Sequence, residues 1–337
     1  MMTFSMRVTS RNAGAWVTFL VFAVRGLVLA NAGGTPAQSP GAAGGATAPR
    51  AARAVSPASF DGGRAYEHLR QIVTFGPRPA GSSSLDRTRR YITEQLAALG
   101  IATVEQGFDA QTPIGRIRMV NLIATIPGVR QERLAIAGHY DTKLFREFRF
   151  VGANDGGSST AFLLEMARVL KSRRNLLTME LLFLDGEEAT VEWTASDHTY
   201  GSRYYVEAAR KSGTLAGLKA LVLVDMIGDR NLRIRREQAS TSWLTDLLWA
   251  SARRLKLDST FVSESVPIDD DHVPFLQAGV PAVDIIDLEY PPWHTAADTL
   301  DQVSARSLQT VGDVLIGALP PIEEKLAGTT AKPGGRD

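Results

Sequence analysis

The sequence contains no cysteine among its 337 residues. This absence excludes disulfide bonds and thiolate metal sites, so any bound metal must be held by carboxylates and imidazoles. The chain also lacks a strong net charge, since it carries +1 at pH 7 with neither a basic stripe nor a long charge run. We therefore expect no nucleic-acid partner. No internal repeat is present, and 44% hydrophobic with 22% charged residues is typical of one large globular domain.

The N-terminal sixty residues have the composition of a targeting segment followed by a tether. Basic residues precede an apolar run over residues 15–29, and small residues at 30–32 fit a signal-peptidase site. Because Arg25 interrupts this short run, we expect a cleaved signal peptide over residues 1–32, with export to the periplasm or the medium. An uncleaved membrane anchor is the alternative. Residues 33–59, rich in Gly, Ala and Pro, are expected to form a disordered linker.

The remaining chain has the pattern of one folded domain, expected over residues 60–322, with a flexible tail over 323–337. Helical and strand patterns alternate, which predicts an α/β fold with a mostly parallel central sheet flanked by helices. The predicted helices cover residues 64–73, 85–99, 159–170, 200–211, 241–255 and 304–319. The predicted strands cover residues 116–126, 134–137, 179–184, 220–227 and 280–286.

Acidic and histidine residues occur where several apolar runs end. In an open α/β sheet the carboxyl ends of the strands share one crevice, so such residues can converge although they are distant in sequence. Oxygen and imidazole ligands that converge in this way predict a zinc enzyme. The residues in question are His139, Asp141, Asp155, Asp185, Glu187, Glu188, Asp225 and His294.

Several of these residues have a structural alternative. His139 could be a hydrogen-bonded core histidine, and Asp155 could simply cap a helix. Adjacent Glu187 and Glu188 would repel each other unless a cation or a shared proton holds them. Asp225 interrupts an apolar strand, which is costly unless the carboxylate is paired or bound to metal. The set is therefore more informative than any single member.

Two further features lie beside these residues. The acidic run 269–271 before His272 could be a solvated turn, but the apolar residues 273–276 that follow favour a position near the core. Trp193 and Trp293 lie close to candidate ligands in the sequence, which gives them a possible place at the site. Core packing is the alternative for both tryptophans, because this chain also places tryptophan on a helix face.

Together these segments resemble, in order and spacing, the zinc-dependent exopeptidase superfamily of co-catalytic aminopeptidases, and within it the glutaminyl cyclases. The resemblance covers roughly residues 60–319. Its most specific parts are Asp185-Gly-Glu-Glu-Ala189 with Trp193, Asp270-Asp-His-Val-Pro-Phe-Leu276 and Trp293-His294. Gly76-Pro-Arg-Pro79 adds support.

The resemblance implies a zinc-exopeptidase-like fold. It also implies a glutaminyl-peptide cyclotransferase, an acyltransferase that converts N-terminal glutamine of peptides or proteins to pyroglutamate with release of ammonia. The implied ligands of one zinc ion are Asp155, Glu188 and His294. The implied catalytic residues are Glu187 as general acid and base with the hydrogen-bonding pair Asp225 and Asp270, and the implied pocket walls are Trp193 and Trp293. We expect the protein to act as a monomer.

A dinuclear zinc aminopeptidase is the alternative. In such relatives a second zinc is held by the residues matching His139 and Asp225, with Asp155 bridging, and all five ligands are present here. Asp270 favours the cyclase, because ordinary aminopeptidases commonly have a small hydroxyl residue at the matching position. A non-catalytic protein on the same fold is disfavoured, since no ligand is missing. This chain departs from the animal cyclases in lacking their disulfide and in having Asp284 where they have histidine.

Overall fold

The structure is a computed structural model that describes residues 58–328. The predicted signal peptide, nearly all of the predicted linker and residues 329–337 of the predicted tail lie outside the described residues. Within the described range, no helix is both long and apolar enough to cross a bilayer.

Helices and strands alternate through most of the described chain, as the sequence pattern predicts. The helices are α1 (Gly62–Thr74), α2 (Ser83–Ala98), α3 (Gly157–Ser172), α4 (Tyr200–Lys211), α5 (Ser242–Arg254), α6 (His272–Gln277) and α7 (Ala305–Gly328). The strands are β1 (Ala102–Thr112), β2 (Gly115–Ile126), β3 (Arg130–His139), β4 (Leu177–Leu184), β5 (Leu218–Asp225), β6 (Ile234–Glu237), β7 (Phe261–Val266) and β8 (Ala282–Ile286).

Six strands form the central sheet in the order β1-β2-β4-β3-β5-β8. The pairings β4 with β3, β3 with β5 and β5 with β8 are parallel, whereas β1 with β2 and β2 with β4 are antiparallel. The prediction of a mostly parallel sheet flanked by helices is therefore confirmed. Strands β6 and β7 form a separate two-stranded parallel ladder.

Both faces of the central sheet are apolar, because helices cover both of them. Alternate residues along a strand point to opposite faces. Ile136 and Val222 belong to the core cluster that contains residues of α2, α3, α5 and α7. Ala135 and Leu221 belong to the cluster that contains Tyr205 of α4 and Phe275 of α6. The sheet is thus held between two helical layers, and its strand ends are left free to build a site.

The apolar pattern does not predict β1, β6, β7 or α6. Strands β1 and β7 are largely exposed, so they carry no clear alternation of buried residues, and β6 and α6 have only 4 and 6 residues. A further difference is at the C-terminus, where α7 continues past the predicted end at residue 319 to Gly328. Residues 323–328 are therefore helical rather than a flexible tail.

Helix α7 continues although it contains Pro320 and Pro321, which normally end a helix. Tertiary contacts compensate for the lost main-chain bonds. Ile322 is fully buried, and the Glu323 carboxylate accepts hydrogen bonds from the main-chain nitrogens of Leu176 and Leu177. These contacts to the start of β4 cannot be read from the local sequence.

Candidate active site

The predicted site residues converge at the carboxyl ends of the parallel strands. His139 is the last residue of β3 and Asp225 the last of β5, while Glu187 and Glu188 follow β4. Asp155 lies in the loop that leads into α3. Parallel strands leave their carboxyl ends at one edge of the sheet, so the side chains that follow them are brought together.

These residues border a cavity of about 460 Å³. Eight of the predicted site residues line it, namely Asp155, Glu187, Glu188, Trp193, Asp225, Asp270, Trp293 and His294. His139 is buried with 2% exposure and lies behind this lining, against Asp155 and Asp225. The rest of the wall is mainly apolar and includes Ile268, Ile286 and Leu288. The cavity therefore combines apolar walls with a strongly acidic floor.

Asp155, Glu188 and His294 form one group that could hold a metal ion. Nε2 of His294 lies 3.3 Å from Oδ2 of Asp155 and 3.4 Å from Oε1 of Glu188. The same Glu188 oxygen accepts a hydrogen bond of 3.0 Å from the main-chain nitrogen of Lys143. Both carboxylates are buried.

His139, Asp155 and Asp225 form a second such group. Nε2 of His139 lies 3.2 Å from Oδ1 of Asp155 and 3.1 Å from Oδ1 of Asp225. Asp155 thus belongs to both groups and presents a different oxygen to each histidine. The alternative that Asp155 merely caps α3 is not what the structure shows, because α3 has no side-chain cap.

The geometry of both groups fits a zinc ion. Bonds of about 2.0–2.2 Å from zinc to nitrogen and oxygen, at tetrahedral angles, separate neighbouring ligand atoms by about 3.3–3.6 Å. The measured separations of 3.3 and 3.4 Å around His294 agree with this, and those around His139 are only slightly shorter. Oδ2 of Asp155 is buried and has no hydrogen-bond partner in the described part of the chain. A cation would satisfy this oxygen and relieve the repulsion among the carboxylates.

The pKa values of Asp155, Glu188 and His294 are shifted by burial and by the close approach of the three side chains. Burial opposes ionisation of His294, but its contacts with Asp155 and Glu188 raise its pKa to about 9. Burial, together with the negative charge of Asp155, raises the pKa of Glu188 to about 7. Although burial works against it, the contacts of its two oxygens with His139 and His294 lower the pKa of Asp155 below its usual value. The positive charge of His294 thus offsets part of the repulsion between the two carboxylates.

Glu187 lies next to both groups without belonging to either. Its Oε2 is 3.7 Å from Nδ1 of His139, and its side chain is 9% exposed at the cavity. Burial, with the charges of Glu188 and Asp270, raises the pKa of Glu187 well above its usual value. A buried carboxyl group with a raised pKa holds a proton more readily than an exposed one, which suits general acid and base catalysis.

The peptide after β4 that carries both glutamates is fixed by Asp141. The two Asp141 oxygens accept hydrogen bonds from the main-chain nitrogens of Glu187 at 3.2 Å and Glu188 at 3.4 Å. Oδ1 of Asp141 also lies 3.5 Å from Nδ1 of His139. A carboxylate two residues from a candidate histidine ligand is a signal for such an orienting role. Gly186, at a φ of 70°, makes the turn before the glutamates.

Asp298 supports the other side of the site and has no signal in the sequence. Its oxygens accept hydrogen bonds from the main-chain nitrogens of Asn154 at 2.8 Å and Asp155 at 3.1 Å. The hydroxyl group of Tyr290 donates a third bond at 2.8 Å. Only the fold brings residue 298 beneath the loop that precedes α3.

Asp185, by contrast, lies outside the cavity. Its Oδ2 accepts a hydrogen bond of 2.7 Å from the main-chain nitrogen of Val120, at the joint between β2 and β4. The expectation that Asp185 converges with the candidate ligands is therefore wrong. A strand-end aspartate can equally satisfy a neighbouring strand, and the sequence does not distinguish the two uses.

The two tryptophans stand at the rim of the cavity rather than in the core. Trp193 is 39% and Trp293 42% exposed. Trp193 stacks on His198 with ring centroids 4.2 Å apart, and its Nε1 donates to Asp269 at 3.2 Å. Trp293 stacks on His294 at 4.4 Å. Flat aromatic faces therefore border the entrance of the acidic floor.

The acidic run before α6 turns inward after its first residue. Asp269 is 55% exposed, whereas Asp270, Asp271 and His272 are buried. Burial and the charges of Asp225 and Asp271 raise the pKa of Asp270 well above its usual value. The apolar residues that follow draw the segment into the core, so the solvated-turn alternative applies only to Asp269.

Asp284 lies in the same buried region. It is fully buried, and neither of its side-chain oxygens has a hydrogen-bond partner in the described part of the chain. Its Oδ2 lies 3.8 Å from Nδ1 of His272. Burial and the negative charges of Asp270 and Asp225 raise its pKa well above its usual value. Burial and its acidic neighbours thus favour the neutral form of this carboxyl group.

Comparisons with known proteins agree with this geometry. The model of peptidase family M28 matches residues 121–319. A glutaminyl-peptide cyclotransferase of Drosophila melanogaster is 31% identical over 294 residues, which cover 79% of this chain and 82% of the fly protein. A glutaminyl cyclase structure from an Acidobacteriales bacterium is 38% identical with a TM-score of 0.77, over 82% of this chain and 100% of that chain. A leucine aminopeptidase precursor from Bacteroides thetaiotaomicron VPI-5482 is 26% identical with a TM-score of 0.72, over 79% and 98%.

Proposed function

This chain belongs to peptidase family M28 and, within it, to the glutaminyl-peptide cyclotransferases, and we propose that it converts N-terminal glutamine of peptides to pyroglutamate with release of ammonia. The observation that carries the proposal is the set of side chains that line one cavity. It combines a metal-binding group, a proton-carrying carboxyl and aromatic walls, namely Asp155, Glu188, His294, Glu187, Trp193 and Trp293.

The reaction is an intramolecular acyl transfer. The α-amino nitrogen of glutamine attacks the carbonyl carbon of its own side-chain amide, a carbon–nitrogen bond forms, and the amide nitrogen leaves as ammonia. Nucleophile and electrophile belong to one residue. Folding the side chain back therefore brings them together without the entropy cost of binding and orienting an external nucleophile. A cavity of about 460 Å³ bordered by indoles is of a suitable size and character.

Glu187 is proposed as the group that moves the proton. As a base it accepts a proton from the attacking amine, and as an acid it donates that proton to the departing nitrogen. Its burial and its raised pKa suit both halves of this cycle. Asp225 and Asp270 are proposed to accept hydrogen bonds from the reacting amine and amide, because both line the cavity beside Glu187.

Asp155, Glu188 and His294 are proposed to hold zinc, with His139 and Asp225 as ligands of a second ion if two are bound. When bound, zinc supplies a Lewis acid that polarises the side-chain amide carbonyl. The chain's own groups do the remaining work. Trp193 and Trp293 position the substrate and limit water, which protects the cyclisation from competing hydrolysis.

An aminopeptidase is the second candidate function. It is favoured by one specific observation, that Asp155 faces both histidines as a ligand shared by two metal ions would. In that case the site would activate a water molecule and release N-terminal amino acids from peptides. A bacterial leucine aminopeptidase precursor is among the similar structures.

One paired assay separates the two functions. Purified protein, loaded with zinc, is given a Gln-peptide and a Leu-peptide, while ammonia and free amino acids are followed separately and zinc per chain is counted. Ammonia from the Gln-peptide without free amino acid supports the cyclase. Free leucine with two zinc ions per chain would replace this proposal with the aminopeptidase.

We also propose that the protein is exported as a monomer. Support for export comes from the residues 1–32, in which basic residues precede an apolar run and a small-residue cleavage site. Mass spectrometry of the mature N-terminus after fractionation of expressing cells tests this, and size-exclusion chromatography with light scattering tests the oligomeric state.

A further inference from the structure

Arg78 is the one fully buried arginine in the part of the chain that the structure describes. It belongs to the segment Gly76-Pro-Arg-Pro79 between α1 and α2. It does not line the cavity, and the proposed reaction does not use it. A buried guanidinium is costly unless its charge and its donors are compensated, so its presence here requires an explanation.

The Arg78 guanidinium donates only to main-chain carbonyl oxygens. Nη1 donates to Val151 at 2.7 Å and Nη2 to Gly152 at 3.0 Å. A longer bond of 3.4 Å joins Nε to the carbonyl oxygen of Tyr140, and another of 3.4 Å joins Nη1 to that of Gly76. Several carbonyl groups are thus gathered around one rigid planar fork.

The main chain of Arg78 is fixed as well. Its nitrogen donates to Oγ1 of Thr142 at 2.9 Å, and its carbonyl oxygen accepts from the main-chain nitrogen of Thr142 at 3.1 Å. Arg78 is therefore held to the segment that follows β3 by its main chain and to residues 151–152 by its side chain.

These two segments adjoin His139 and Asp155, which belong to the candidate metal-binding groups. Tyr140 and Thr142 lie one and three residues after His139, and Val151 and Gly152 lie four and three residues before Asp155. Gly152 adopts a φ of 52°, and a Cβ atom there would lie 2.5 Å from the carbonyl oxygen of Asp155. Residue 152 therefore packs closely against the main chain of Asp155 and leaves no room for a side chain.

The charge of Arg78 is compensated by the site and not by a paired carboxylate. In the described residues none of its hydrogen-bond partners is acidic. Burial lowers the pKa of Arg78 to about 10, against the opposing effect of the nearby charges of Asp298, Asp155 and Asp141. The guanidinium remains a cation at neutral pH and offsets part of the negative charge around the metal groups.

We propose that Arg78 is a positioning residue of the metal site, which sets the separation of His139 from Asp155 by binding the carbonyl groups of both segments in one planar fork. The inference rests on the proposed metal site, but not on which reaction the site catalyses. Lysine would keep the charge and lose the fork, so the two contributions can be separated by mutation.

The test compares Arg78→Lys with Arg133→Lys. Arg133 lies in β3, and its guanidinium binds Glu180 and the carbonyl oxygen of Thr214, remote from the cavity. Zinc dissociation constants are measured by competition with a chromophoric chelator, on protein whose folded fraction is known from circular dichroism. Glutamine-peptide kinetics follow on the zinc-saturated enzymes.

Arg78→Lys should weaken zinc binding by about 10- to 100-fold, as loss of groups that orient metal ligands commonly does. It should lower kcat more than it changes KM, because none of the hydrogen-bond partners of Arg78 lines the cavity. Arg133→Lys should lower the melting temperature without changing the zinc dissociation constant. Unchanged zinc affinity in folded Arg78→Lys protein would overturn the proposal.

A milder variant keeps the test decisive if Arg78→Lys does not fold. Thr142→Val preserves the side-chain shape and removes the hydroxyl that accepts from the Arg78 main chain. Zinc binding should weaken several-fold, and unchanged affinity would again overturn the proposal. If wild-type protein binds zinc and releases no ammonia, the cyclase function fails while the effect of Arg78 on zinc affinity can still be measured.

Discussion

Oδ2 of Asp155 lies 3.3 Å from Nε2 of His294, while the other oxygen of the same carboxylate faces a different histidine. One side chain therefore belongs to both metal-binding groups. Asp225 belongs to only one of them. The number of metal ions that the protein binds can consequently be read from substitutions at these two aspartates.

We predict that Asp155→Asn abolishes high-affinity zinc binding, because it removes the charge shared by both groups. The loss should exceed the about 10- to 100-fold that an outer-shell partner contributes. Asp225→Asn should leave one zinc ion per chain. Inductively coupled plasma mass spectrometry after dialysis measures the zinc content per chain of both variants. A wild-type zinc content in Asp155→Asn would refute the assignment of Asp155 as a shared ligand. A fall from two ions to one in Asp225→Asn would identify a dinuclear site.

Glu187→Gln should lower kcat by about 10²- to 10⁴-fold, because it removes the proton carrier and keeps the shape of the side chain. Zinc content should stay at the wild-type level, since Glu187 belongs to neither metal group. Glu192→Gln is the matched control, because Glu192 is an exposed glutamate on the rim of the same cavity. Steady-state ammonia release measures both variants. Substantial activity in Glu187→Gln would remove Glu187 from the proton pathway.

Zinc binding should tighten as the pH rises toward about 9. A histidine ligand must be neutral, and in the metal-free protein the contacts with Asp155 and Glu188 raise the pKa of His294 to about 9. Below that pH zinc must displace a proton, and above it no such competition remains. Titration calorimetry at pH 7, in two buffers with different ionisation enthalpies, should show proton release on binding. An affinity that does not change between pH 7 and 9 would contradict this assignment.

Asp284→Asn should stabilise the metal-free protein at pH 7. The pKa of Asp284 is raised in the folded state, so at neutral pH folding must retain a proton that the unfolded chain has released, and stability falls as pH rises above the unfolded-state pKa. Asparagine has the same shape and no such linkage. We expect a melting temperature higher by on the order of a few degrees at pH 7 and little difference near pH 4. The surface variant Asp258→Asn is the control, and equal effects at both pH values would argue against a buried neutral carboxyl.

Trp193→Ala should raise KM for Gln-peptides by up to about 10-fold, the effect expected from losing an aromatic contact of about 0.5–1.5 kcal/mol. Trp193→Phe should have a smaller effect, because a ring remains while the hydrogen bond to Asp269 is lost. Trp243→Phe, on α5, should affect the melting temperature and not KM. A KM that stays unchanged in Trp193→Ala would remove this residue from the pocket wall.

Much of the fold can be predicted from the sequence. The bounds of α4 match the predicted range, and β2, β4 and β5 differ from it by one or two residues at their ends. These elements are buried on at least one face, so the spacing of their apolar residues indicates whether they are helices or strands. Strand β1 lacks such an apolar pattern because it is largely exposed. Helix α7 continues through two prolines because Glu323 binds the distant Leu176 and Ile322 is buried in the core.

The candidate site can also be predicted only in part from the sequence. The chain order of acidic residues and histidines at strand ends identifies the residues that line the cavity, because parallel topology sends those ends to one edge. It also includes Asp185, whose carboxylate turns to β2 instead. Which strand-end side chains enter the cavity depends on hydrogen bonds to neighbouring strands, which local sequence does not contain.

The sequence by itself determined the α/β class, the absence of thiolate ligands and the family resemblance, because burial patterns and residue identities are local properties. Only the tertiary structure decided that Asp155 is shared between two histidines, that Asp298 holds its main chain, and that Arg78 joins the two loops beside it. Each of these depends on distances between segments far apart in the chain, and such distances are set by the packing of the whole sheet and its helices.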